Sequence, residues 1–101
     1  MRFTWDERKN RANRRKHGVS FETAMLVFAD RFVIFEQDRE VDGEARWQAV
    51  GTVNEQILLL VAHTYEEHEG EETIRIISAR RAARLEEGAY YRQFEPGGHG
   101  R

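Results

Sequence analysis

"RWQAVGTVNEQILLLVAHT", residues 46 to 64, consists of two apolar segments hinged at Asn54-Glu55. The first, 46 to 53, follows a period of two rather than of 3.6, so it is predicted to be a strand. The second, 56 to 64, holds the run Ile57 to Ala62, which has the length and apolar continuity of a central strand covered on both faces. A tight turn at Asn54-Glu55 makes the pair a β-hairpin. Outward from it, "FVIFE" (32 to 36) is a strand before the hairpin and "TIRIIS" (73 to 78) is a strand after it. The polar runs "QDREVDGEA" (37 to 45) and "YEEHEGEE" (65 to 72) are predicted to be connections, which gives a four-stranded antiparallel meander.

Helical signals flank the meander. Asp6 offers a carboxylate N-cap to "ERKNRANRRKH" (7 to 17), a helix with almost no apolar stripe, expected to lie on the surface and present cations. Lys16 and His17 fall in its last turn, where cations suit the helix dipole, and Gly18 suits the left-handed residue that ends it. A second helix from Ser20 to Asp30 is predicted to bury Phe21, Ala24, Met25 and Phe28. A third, "RRAARLEEGAYYRQF" (80 to 94), carries Ala82, Leu85, Ala89 and Phe94 near one face. "RFTW" (2 to 5) is a short strand or an anchor for the N-terminus. The expected fold is α+β, with two N-terminal helices, the sheet, a C-terminal helix and the helices on one side. One domain is expected over 1 to 94, with 95 to 101 a disordered tail.

Composition narrows the function. Of 101 residues 34% are charged and 40% hydrophobic, as in a folded domain with an ionic surface. The absence of cysteine removes thiolate chemistry and fits a reducing compartment. No signal peptide core or membrane-length apolar run is present, so a soluble cytoplasmic protein with no membrane partner is expected. The net charge of −2 conceals segregation: residues 1 to 17 hold seven Lys/Arg against two acids, and residues 73 to 92 five against two. Residues 18 to 62 hold three against eight, and 63 to 72 none against five. If the fold unites the two basic segments, they form one face suited to phosphate.

The side chains that could carry chemistry follow from this. Histidine is the side chain whose ordinary pKa allows proton transfer near neutrality, and His17 stands among Arg14, Arg15 and Lys16; it also serves simply to end a helix. Arg46 and Arg80 stand near strand ends, where a guanidinium can fork onto a phosphate and stabilise a phosphorane-like transition state. Plainer roles exist for both: Arg46 can pair with Glu44, and Arg80 can bind a carbonyl. Arg75 alternates with Ile74 and Ile76 and is read as a solvent-facing strand residue. His63 and His68 with nearby glutamates suggest a metal site, but their spacing matches no helical HExxH pattern. No glycine-rich phosphate loop or nucleophile elbow is present.

Taken in order, "FTWDERKNRANRRKHGVSFETAMLVFAD", "GEARWQAVG" and "IRIISARRAARLEEGAYY" resemble the BrnT family of toxins from bacterial type II toxin-antitoxin pairs. The resemblance spans about residues 3 to 92. It implies a RelE-like fold and a metal-independent endoribonuclease, needing no cofactor, that inhibits translation. It also implies a cognate BrnA-like antitoxin with a ribbon-helix-helix DNA-binding domain, RNA as substrate (free or on the ribosome), and DNA contact only through the antitoxin. Lys16 and His17 match the family's "KHG", Arg46 its arginine after the acidic connection, Arg80 the arginine of "ISAR", and Tyr90 or Tyr91 its late tyrosine. Lys16, His17, Arg46 and Arg80 are then the expected catalytic set, with Arg14, Arg15, Arg81 and Tyr90 on the RNA. A different class remains: a non-catalytic partner subunit of a DNA-binding repressor complex.

Overall fold

The structure, a computed structural model, describes residues 1 to 96. Its centre is one five-stranded sheet in the order β1-β5-β4-β3-β2, formed by β1 (Arg2–Thr4), β2 (Ile34–Val41), β3 (Glu44–Val53), β4 (Ile57–His68) and β5 (Glu71–Arg81). β2 to β5 are the antiparallel meander that the hairpin at 54 to 56 predicts. The sheet is mixed rather than four-stranded and antiparallel, because Arg2, Phe3 and Thr4 pair in parallel with Thr73, Ile74 and Arg75.

Both acidic connections turn out to be strand. β2 continues to Val41 and β3 begins at Glu44, with only Asp42-Gly43 between them; β4 and β5 are likewise joined by Glu69-Gly70. All four of these turn residues have positive φ, 51° and 77° in the first pair and 50° and 85° in the second, as a two-residue hairpin turn matching the strand twist requires. These hairpin ends reach beyond the core, so both of their faces are polar and no alternation marks them as strand.

The α-helices are α1 (Glu7–His17), α2 (Phe21–Ala24) and α3 (Arg84–Arg92). α2 is four residues long and continues as a 3-10 segment over Met25–Ala29. Its fully buried residues are Phe21, Ala24 and Val27, aligned by the three-residue period of that tighter coil, whereas Met25 and Phe28 only pack at the edge of the core. Burying a side chain such as Phe21 stabilises the fold by roughly 1.5–3 kcal/mol. Val27 crosses Gly51 of β3 so closely that a Cβ there would meet Val27 Cγ1 at 2.9 Å, which is why a central strand carries a glycine.

The helices cover both faces of the sheet rather than one. Ala49, Val53, Leu59, Val61, Ile74, Ile76 and Ala79 meet α2 and the 3-10 segment on the first face. Val50, Leu58 and Leu60 meet Tyr90 of α3 on the second. β5 runs on through Arg81, so α3 begins later than expected and its buried residue is Tyr90; Leu85 is 87% exposed. α1 is docked by amides instead of apolar side chains. Asn13 donates to the carbonyls of Val19 and Ala79 (2.9 and 2.8 Å) and accepts from the Ala79 N–H, replacing the strand that β5 lacks beyond β1. Asn10 accepts from the Phe21 N–H at 2.8 Å. Residues 97 to 101 of the expected tail lie outside the described residues.

Candidate active site

Strand alternation sets Arg46, Arg75 and Arg80 on the second sheet face, the one α3 only partly covers. Their neighbours Trp47, Ile74, Ile76 and Ala79 point into or beside the first-face core, so each arginine points the other way. Thr64 lies opposite Arg75, Ala62 lies between Ser78 and Gln48, and Arg80 is opposite Leu60. The result is a polar floor crossed by three guanidiniums. Glu44 bonds Arg75 at 2.7 Å and lies 3.9 Å from Arg46 Nε, which is buried and has no hydrogen-bond partner among the described residues. Glu86 of α3 takes the third through a two-bond fork, 3.0 and 3.1 Å from Arg80, which also donates to the Arg81 carbonyl oxygen. Hydrogen bonds from Arg80 are the main cause of the Glu86 carboxyl lying below the usual carboxylate range. Both plainer roles foreseen for Arg46 and Arg80 are therefore present, and on a face where a phosphate could replace the carboxylates.

Lys16 and His17 stand elsewhere. His17 lines a pocket of about 240 Å³ with Gly18, Val53, Leu59 and Arg81, all at the first face and the end of the sheet. Arg80 and Arg81, adjacent in sequence, thus point to opposite faces, and the expected site residues divide into two clusters that meet at the end of β5. Arg14, Arg15, Lys16 and His17 are exposed along the last turn of α1.

Tyr90 is 3% exposed and its hydroxyl donates to Asp30 at 2.5 Å, so its ring is part of the core and closed to a nucleobase; Tyr91 beside it is 53% exposed. Sequence reasoning set Arg75 aside as a solvent-facing strand residue, foresaw Glu44 only as a partner for Arg46, and gave Glu86 no part. Alternation had already put Arg75 on this face, but that Glu44 also reaches Arg75 depends on β3 beginning at Glu44, and the Glu86 fork on Arg80 depends on where α3 begins. His63 and His68, five residues apart on one strand, point to opposite faces, and among the described residues no three His, Cys, Asp or Glu side chains gather as a metal set.

A small α+β domain with an arginine-bearing sheet face and a cationic helix presents surfaces of the kind that attract phosphate. The model of a family described as ribonuclease toxin, BrnT, of type II toxin-antitoxin systems matches residues 5 to 86, and the chain belongs to that family. The crystal structure of the ribonuclease toxin BrnT from Brucella abortus has the same fold, with a TM-score of 0.57 and 24% identity over 83% of this chain and 99% of that one. No curated protein matches the chain. A family of type II toxins implies a ribonuclease and a cognate antitoxin as its partner. Among the described residues no helix is long and apolar enough to cross a membrane.

Proposed function

We propose that the chain is a metal-independent endoribonuclease that inhibits translation in the cytoplasm and is neutralised by a ribbon-helix-helix antitoxin of the BrnA kind. The observation that carries this is that Arg46, Arg75 and Arg80 share one partly covered sheet face. Cleavage without a metal needs a base for the ribose 2′-OH, cations for the dianionic phosphorane formed when that oxygen attacks the adjacent phosphate, and an acid for the departing 5′-oxygen. Arg46 and Arg80 hold the phosphorane, exchanging Glu44 and Glu86 for phosphate oxygens, with Arg75 beside them. Glu86 is a weak base because Arg80 stabilises its anion. Proton transfer is assigned to His17 with Lys16; because His17 lies on the other face of the sheet, this requires the scissile phosphate to sit at the very end of β5, where the RNA rounds the sheet and Arg80 and His17 can both reach it. Arg14, Arg15 and Arg81 hold flanking phosphates. Tyr90 supports α3 against Asp30, and exposed Tyr91 is the ring available to stack on a base.

Purified chain, freed of partner and assayed on RNA in chelator, is expected to cleave and to leave 2′,3′-cyclic phosphate ends. Arg46→Ala and Arg80→Ala are expected to slow it by about 10²–10³-fold, the cost of losing one donor to transition-state charge. Cleavage only with added divalent metal, or unchanged rates in both variants, would refute the mechanism. One observation favours the alternative of a non-catalytic repressor subunit: Arg75 and Arg80 are already hydrogen-bonded to carboxylates. A folded wild-type chain that binds its antitoxin yet cleaves no RNA, even within translating ribosomes, would establish that alternative.

A further inference from the structure

The first sheet face has an opening that the catalytic proposal does not use. Beyond α2, Met1, Phe28, Phe35, Trp47, Tyr65 and Ile74 enclose a pocket of about 390 Å³ whose floor includes His63. His63 is 3% exposed, with the Phe28 and Phe35 rings edge-on to it at 5.0 and 6.0 Å. One ring nitrogen, Nδ1, meets the Thr64 carbonyl oxygen at 3.2 Å, so it carries the proton and donates. That leaves Nε2 an acceptor, buried and without a partner among the described residues. Buried acceptors are ordinarily satisfied, and leaving one bare is unfavourable. Above it Phe35 and Tyr65 are 52% and 43% exposed, an apolar surface left open among the described residues. The rim is acidic: Glu72 accepts from the Tyr65 hydroxyl at 2.8 Å, and Glu67 is its cross-strand partner.

We infer that this pocket receives the antitoxin, through a basic segment that inserts one large apolar side chain with a hydrogen-bond donor at its tip, such as tryptophan or tyrosine. The donor completes His63 Nε2 after Phe35 swings aside, and Lys or Arg residues flanking the inserted side chain pair with Glu67 and Glu72. An RNA strand is disfavoured by those same carboxylates. The chain itself offers no plug: α1 has no apolar stripe, and the segment 95 to 101 has no large apolar residue. A second copy could present exposed Leu85, but leucine has no donor. The pocket and the arginine site occupy opposite faces, so capture and catalysis should be separable. The identity of the partner rests on the toxin proposal.

The test uses the full chain and a purified candidate antitoxin, the product of a short reading frame adjoining its gene where one is found, with RNA cleavage measured in parallel. Phe35→Ser and Tyr65→Ser, both at exposed positions, are expected to weaken the complex at least tenfold while cleaving RNA at the parent rate. On complex formation with the parent, the ¹⁵N resonance of His63 Nε2 is expected to shift as its lone pair gains a donor. A complex of unchanged affinity in both variants overturns the inference, as does an unshifted Nε2. Self-association lost in Phe35→Ser, or Trp47 fluorescence quenched by RNA alone, would assign the pocket to another occupant and overturn it too. A parent chain that cleaves RNA but does not bind the neighbouring product overturns the docking inference alone. One that does neither removes the toxin proposal as well.

Discussion

Asp30 shows how one side chain can join three elements. β2 leaves the sheet edge at Ile34, so β3 beyond Val50 has no strand partner on that side, and the Asp30 carboxylate accepts from the Thr52 N–H (2.8 Å) and hydroxyl (3.1 Å) in its place. The same oxygen accepts from Tyr90, which ties α3 to the end of the 3-10 segment. Partial burial pushes the carboxyl up, yet the bonds from Tyr90, Thr52 and Phe32 outweigh it and leave Asp30 below its ordinary value. Tyr90 is pushed up to about 12, by burial first and then by its bond to Asp30. A raised phenol pKa contributes stability that is complete below the unfolded value near 10 and is lost as pH rises towards 12. Tyr90→Phe is accordingly expected to lower stability by about 1.5–3 kcal/mol at neutral pH, the worth of a hydrogen bond to a charged group. In urea titrations at a series of alkaline pH values, the variant should decline less steeply than the parent. Parallel declines would mean that the Tyr90–Asp30 bond contributes nothing.

At the level of elements, the meander could be read from sequence because apolar side chains recur wherever a strand crosses the core. The hairpin ends could not, since strand that extends past a core has no inward face to mark; only Asp42-Gly43 and Glu69-Gly70 signalled them, among many charges. α1 was recognised from its caps, with Asp6 accepting from the Arg8 N–H at 2.8 Å and Gly18 left-handed at φ 72°. Its docking was invisible because two asparagines do what an apolar stripe usually does. In the site, the arginines were identified by residue type, but their division between faces depends on strand parity near the end of β5. Asn13→Ala tests the amide docking directly. It strands the Ala79 N–H and two carbonyls at a buried edge, and about 2–4 kcal/mol should be lost. For a domain of this size that corresponds to a melting temperature lower by about 10–25 °C. Asn13→Leu should not recover it, although leucine is the better helix former. Full recovery by leucine would show that α1 is held by apolar packing after all.

Across the whole molecule the charge is polar, and the sheet topology is the reason. The turns at 42–43 and 69–70 lie at one end of the antiparallel meander, gathering the acids of residues 36 to 44 and 66 to 72; α1's last turn and Arg81 lie at the other. An RNA strand should therefore approach the cationic end and reach Arg80 from there, with the acidic end limiting how far it extends. This separates two kinds of arginine. Arg14 and Arg15 contribute to attraction and register, whereas Arg46 acts on charge that develops during reaction. The double variant Arg14→Gln/Arg15→Gln should weaken RNA binding and reduce the slope of log affinity against log salt by about 0.7 for each phosphate no longer neutralised. Turnover at saturating RNA should be unchanged, because ground state and transition state lose the same interaction. Arg46→Gln should do the reverse, lowering turnover with the salt slope little altered. Fluorescence anisotropy across a salt series, paired with single-turnover cleavage, measures both quantities. If the double variant lost turnover and kept its affinity, the α1 end would be the reacting centre, and the sheet-face arginines would be reduced to a docking surface.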